Sequence, residues 1–166
     1  MKHKIWVAAA LSLATVSAYA QVAVSDAWAR GTVPGQTATG VFMTLQSRDA
    51  TTLVGVSTPA AATAEVHEMK LEGTLMKMRA LPNGLPLPAN QPVQLKPGSY
   101  HIMLNDLKAQ LKKGDTVPVT LRFESADHKK TEQQVQVQVR DLTAPAPAAG
   151  GAMSAMPGMS HGSHSQ

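Results

Sequence analysis

Between residues 22 and 142 the chain alternates short β-branched or apolar runs with polar positions. Clusters of Gly, Pro and Asn separate these runs at spacings typical of sandwiches and barrels. This period of two predicts strands over 22–28, 39–46, 52–57, 64–70, 74–79, 92–95, 100–104, 116–124 and 132–139, nine at most. Turn chemistry supports the divisions: Glu72-Gly73 reads as a tight hairpin, Pro82-Asn83-Gly84 and Lys96-Pro97-Gly98 as turns, and Lys113-Gly114-Asp115 leads into a further strand. Helix signals are weak, and only residues 106–111 have the pattern of a helical turn. The expected fold class is all-β.

Both ends depart from this pattern. Residues 1–20 place Lys2 and Lys4 ahead of an apolar stretch over 5–16, and Ala18-Tyr19-Ala20 forms a box of small residues. A basic start, an apolar segment shorter than the roughly 20 residues needed to span a bilayer, and such a box describe a cleaved secretory signal peptide. With no cysteine among the 166 residues a lipoprotein signal is excluded, and the mature protein is expected to be soluble and periplasmic. Past Leu142, within residues 143–166, the sequence becomes Thr-Ala-Pro-Ala-Pro-Ala-Ala-Gly-Gly and then a Met/His-rich run. Pro, Gly, Ser and Ala bury too little apolar surface to offset the entropy of ordering, so this tail is expected to be disordered. One domain, residues 21–142, remains.

Charge and composition narrow the function. Without Lys2 and Lys4, 13 basic side chains face 11 acidic ones, a balance too small and scattered for a nucleic-acid footprint. No later window is apolar for long enough to form a transmembrane helix. An exported domain that cannot form disulfides must draw its stability from an ordinary core.

The chemistry lies in two copies of one pattern, His67-Glu68-Met69 and His101-Ile102-Met103, on two predicted strands. Side chains two apart on a strand share a face, so each His projects with its Met, and Met76 and Met78 line one face of the strand after Gly73. If these strands are neighbours, imidazole nitrogens and thioether sulfurs converge. Thioethers favour Cu(I), whereas zinc takes thiolate, imidazole or carboxylate and calcium takes several oxygens, so the mixture selects copper. One His-x-Met alone reads as core packing; two copies, an intervening Met78 and a Met/His tail read as a metal site. Met43 is assigned to the core, and so is Met76, although its alternation with Met78 is compatible with either role. His128 is expected in a solvated loop, and Trp28 and Tyr100 as core or rim aromatics.

At these residues the sequence resembles the PCu(A)C family of periplasmic copper chaperones. That family's motif is His, often x-Met, ten residues, Met, about twenty-one residues, and His-x-Met. Here ten residues separate His67 from Met78 and twenty-two separate Met78 from His101, a difference that the Pro- and Gly-rich loop between them can absorb. Asp26-Ala-Trp-Ala-Arg30, Pro97-Gly-Ser-Tyr-His-Ile-Met-Leu104 and Leu111-Lys-Lys-Gly-Asp-Thr116 extend the likeness over nearly the whole domain. The resemblance implies a cupredoxin-like Greek-key β-barrel or sandwich that binds one Cu(I) through His67, Met78, His101 and Met103, with Met69 auxiliary. It also implies delivery of copper toward cytochrome oxidase assembly, with an oxidase subunit or a Sco-type protein as partner. In members with a Met/His-rich extension, that extension is held to bind a second copper as Cu(II). Here Met153, Met156, Met159, His161 and His164 would serve, the alternative being a mere solubilising linker.

A blue-copper electron carrier needs a Cys thiolate that this chain lacks. A copper-sequestering or resistance protein would use the same ligands without a dedicated acceptor. An enzyme is not expected, because no cysteine nucleophile or Gly-x-Ser-x-Gly motif is present and the histidines lie beside methionines. Imidazole ligation requires the neutral ring, so copper affinity is expected to fall below about pH 6.5.

Overall fold

Ten strands and no helix occupy residues 22–141, the part of the chain that the computed structural model describes. The expected signal peptide and the Met/His tail lie outside the described residues. The strands are β1 (Val22–Arg30), β2 (Ala38–Ser47), β3 (Thr51–Ser57), β4 (Ala61–Glu72), β5 (Leu75–Ala80), β6 (Leu85–Leu87), β7 (Pro92–Leu95), β8 (Tyr100–Leu107), β9 (Thr116–Ser125) and β10 (Lys130–Arg140). All ten join one sheet in the order β5-β4-β8-β7-β2-β1-β10-β9-β3-β6, with β8 also paired directly to β2. The pairs are antiparallel except β1 with β10 and β7 with β8. Side chains from across the sheet meet in one core, with Val41, Leu45, Leu53, Ile102, Leu104, Val119, Leu121 and Val137 fully buried. The all-β architecture read from the sequence is the observed one.

Two local expectations fail. The count of nine strands omits β6, whose Leu85-Pro86-Leu87 lies between a turn and Pro88 and reads as loop. It forms on the sheet's edge against β3, where Pro86 faces Thr52 and its missing N–H is tolerated. Residues 106–111 form no helical turn. β8 runs on to Leu107, because its pairing with β4 extends that far, with Asp106 (φ 53°) inside the strand between the paired Asn105 and Leu107.

A bulge in β1 decides which face its aromatic residue occupies. Ser25 pairs with Thr44 and Trp28 with Phe42, so β1 uses three steps where β2 uses two. Asp26, at φ 52°, sits in this bulge, a left-handed position that Asp tolerates better than most residues. Before it, Val22 and Val24 turn toward the core; after it, Ala29 does, and Trp28 goes to the opposite face.

Candidate metal centre

The site is built on that opposite face, by cross-strand register. β4 lies between β5 and β8, and the pairing sets His67 opposite His101, Glu65 opposite Met103, and Met69 opposite Met78. Directly paired residues share a face, so the strand spacing of two brings both His-x-Met units and Met78 together, as the pattern predicted. The β4–β5 hairpin closes through Gly73 (φ 64°), which fixes the Met69–Met78 register.

Trp28, Phe42, His101 and His67 form a row across β1, β2, β8 and β4. Ring centroids are 4.5 Å apart for Trp28 and Phe42, 6.4 Å for Phe42 and His101, and 5.8 Å for the two imidazoles, which meet edge-on. Trp28, Phe42 and His101 are buried, yet the neighbours that alternate with them, Ala29, Val41 and Ile102, are the ones in the main core. They therefore make a second apolar cluster on the back of the sheet. Gly40, opposite Met103, gives Phe42 its position: a Cβ at Gly40 would lie 2.8 Å from Phe42 Cζ, so the ring rests where a side chain would be. Arg140 covers Trp28 and Arg30 covers Phe42, their guanidinium carbons 5.3 and 5.7 Å from the ring centres.

His101 is held with one nitrogen committed and one free. Its Nδ1 lies 3.2 Å from the carbonyl of Ser99; a carbonyl only accepts, so Nδ1 carries the proton and Nε2 keeps its lone pair. Ser99 is placed by the turn Lys96-Pro97-Gly98, in which Gly98 takes φ 80° and Ser99 N–H donates to Lys96 O at 3.0 Å. Nε2 points at the thioether of Met78, 3.2 Å from Sδ. Burial lowers the His101 pKa, the Ser99 hydrogen bond opposes this, and the neighbouring His67 adds a further lowering. The neutral ring is thus favoured, and two lone pairs face each other at a distance that a soft cation would stabilise.

His67 shows the complementary arrangement. Its Nε2 lies 3.2 Å from the carboxylate of Glu65, and its Nδ1 is a buried ring nitrogen without a hydrogen-bond partner among the described residues. Met69, Met78, His101 and Met103 line one cavity of about 300 Å³, covered by Pro97, Gly98 and Gln36 from two loops, with Arg30 in its wall. Soft sulfur donors and the His101 imidazole directed at one space fit Cu(I), with His67 beside His101 but outside the cavity's lining. Among the described residues no cluster of three or more His, Cys, Asp or Glu offers a harder alternative.

Of the residues singled out in the sequence, His67, Met69, Met78, His101 and Met103 are brought together; Met153, Met156, Met159, His161 and His164 lie outside the described residues. Met43 is buried in the core, as assigned, and His128 is exposed in a turn. Met76 is not a core residue: it is 46% exposed on the edge strand β5, opposite Leu71, which is itself exposed. Sequence reasoning missed Phe42, Gly40, Arg30 and Glu65. Glu65 was within reach of the same rule as the His-x-Met pairs, since an acid two positions before His67 shares its face; the other three depend on strand neighbours.

The sequence profile described as "Putative lipoprotein LpqE-like" matches residues 22–139. A protein of Leifsonia xyli subsp. xyli, described as "Putative lipoprotein Lxx21020", is 32% identical over 122 residues, covering 74% of this chain and 71% of that protein. Among solved structures, the solution structure of Cu(I)-DR1885 from Deinococcus radiodurans is 28% identical, with a TM-score of 0.57, over 75% of this chain and 81% of that one. The copper-bound PCuAC domain from PmoF2 shares the fold at 20% identity and a TM-score of 0.58, over 74% of this chain and 94% of that domain.

Proposed function

The chain belongs to the LpqE-like family, and on that premise we propose that it is a copper chaperone of the PCuAC kind, not an enzyme, which binds Cu(I) outside the cytoplasm and passes it to an acceptor protein. The observation that carries this reading is the convergence of His101 Nε2 and Met78 Sδ, 3.2 Å apart, on a cavity also lined by Met69 and Met103. In this reading His101 offers Nε2, His67 offers Nδ1, Met78 and Met103 complete the ligand set, and Met69 is auxiliary. Uncharged donors hold Cu(I) without thiolate, which suits an oxidising compartment. Met78 is 49% exposed, so a ligand of the acceptor can reach the ion from the β5 side and exchange it stepwise.

The finer reading follows the same chemistry. The acceptor is a copper-receiving component of cytochrome oxidase assembly, an oxidase subunit or a Sco-type protein. The tail, through His161 and His164 with Met153, Met156 and Met159, takes a second copper as Cu(II). The relatives are described as lipoproteins, in keeping with export, and the periplasm is the proposed location.

The test is anaerobic Cu(I) titration of the protein ending at residue 142 and of its His101→Ala, Met103→Ala variant, followed by transfer to a purified acceptor site. One tightly held Cu(I), lost in the variant and given up to the acceptor, is the expected result. Unchanged Cu(I) binding in the variant would refute the site, and retention of copper against the acceptor would leave sequestration as the function.

A further inference from the structure

Arg30 is a charged residue in the wall of a cavity built for a cation. It ends β1, two positions beyond Trp28 on the same face, and its guanidinium lies over the Phe42 ring, 5.7 Å from the centre. Phe42 in turn adjoins His101. The Nε of Arg30 is buried without a hydrogen-bond partner among the described residues, and such an atom carries an uncompensated desolvation cost. None of the residues lining the cavity is acidic. The nearby carboxylate of Glu65 is engaged with His67 Nε2. A guanidinium stays protonated at any pH at which the protein is folded, so its charge is a fixed feature of the site.

A fixed positive charge beside neutral His and Met donors does not act equally on the two oxidation states of copper. Cu(II) brings one more unit of charge than Cu(I) and meets that much more repulsion. We propose that Arg30 is a specificity-determining residue that makes the site select Cu(I) against Cu(II), through its charge rather than its shape. This rests on the reading of the cavity as a copper site. The thioethers already favour Cu(I); Arg30 supplies a second, electrostatic discrimination that does not require it to touch the ion. At a separation of about 10 Å and an effective dielectric near 20, a unit charge changes the balance between two states one charge apart by roughly tenfold, and solvent at the rim reduces this toward threefold.

The test measures both dissociation constants on the same protein, ended at residue 142 so that the tail does not contribute. Cu(I) is titrated anaerobically against a Cu(I)-specific chelator and Cu(II) against an amino-acid buffer, for the wild type, Arg30→Gln and Arg30→Lys. The expected result is that Arg30→Gln narrows the preference for Cu(I) by roughly three- to tenfold, mostly by tightening Cu(II), while Arg30→Lys keeps the wild-type ratio to within about twofold. Arg30→Leu, which covers Phe42 with apolar atoms and also removes the charge, gives the same readout if the glutamine variant does not fold. An unchanged ratio in the neutral variants, with Cu(I) still bound, would overturn the role of Arg30 and leave the copper site standing. An equal shift in Arg30→Lys would also overturn it, because geometry and not charge would be responsible. Failure of the wild type to bind Cu(I) would remove the site itself.

Discussion

Replacing Gly40 with alanine tests whether the second apolar cluster is as tightly built as the site requires. The added Cβ would stand 2.8 Å from Phe42 Cζ and 3.3 Å from Cε2, closer than atoms pack. The ring cannot simply lift away, because Trp28 lies 4.5 Å from it and Arg30 caps it. Inserting a methyl into such a cluster costs about 1–3 kcal/mol. Gly40 does not occupy the left-handed region, so alanine also removes excess freedom from the unfolded chain and recovers about 0.5–1 kcal/mol. The net expectation is a loss of about 1–2 kcal/mol, which in a domain of this size lowers Tm by about 4–10 °C. Thermal unfolding by circular dichroism measures it directly. In a Phe42→Leu background the clashing Cζ is gone, so the same glycine substitution becomes neutral or slightly stabilising, and the double-mutant cycle reports a coupling of about 1–2 kcal/mol. A Gly40→Ala protein as stable as the wild type, or a cycle without coupling, would refute the packing argument.

Three further outcomes follow from the imidazoles. Glu65→Ala removes the acceptor that orients His67, and such outer partners are worth about 10–100-fold in metal affinity; with Glu65 half exposed, a weakening of Cu(I) binding at the lower end of that range is expected, and an affinity equal to wild type would show that His67 is oriented by packing alone. The lowered pKa of His101 has consequences for pH. Its folded-state value lies below 6.5, so neutral His101 contributes stability to the metal-free protein in full above pH 6.5, and this is lost as pH falls from there toward the folded-state pKa. Metal-free wild type should lose Tm in that window more steeply than His101→Gln, and parallel curves would contradict the assignment. In a His67→Ala variant, Cu(I) affinity should hold through pH 6.5 and decline only at lower pH, later than an unperturbed imidazole would allow.

The proposed donors could be picked out along the chain because a strand has a period of two. His67 with Met69 and His101 with Met103 share a face whatever the rest of the fold does, and softness of the donors is a property of side chains alone. Alternation likewise disclosed an all-β domain with one core. What the sequence did not carry is which strands lie side by side and in what phase. His67 faces His101 because β4 and β8 pair, and Met78 reaches Met69 through the hairpin register; neither pairing is written in local spacing. Met76 alternates with Met78 on the same edge strand and is about as exposed, and what separates the two is register, since Met78 pairs with Met69 and reaches His101 while Met76 pairs with Leu71. The bulge at Asp26 moves Trp28 from the core face to the site face, and a missing Cβ at Gly40 lets Phe42 lie beside His101. A one-residue shift reverses every side chain that follows it, so the residues surrounding the proposed donors were fixed only when the sheet folded, while the spacing of the His and Met residues was fixed by sequence.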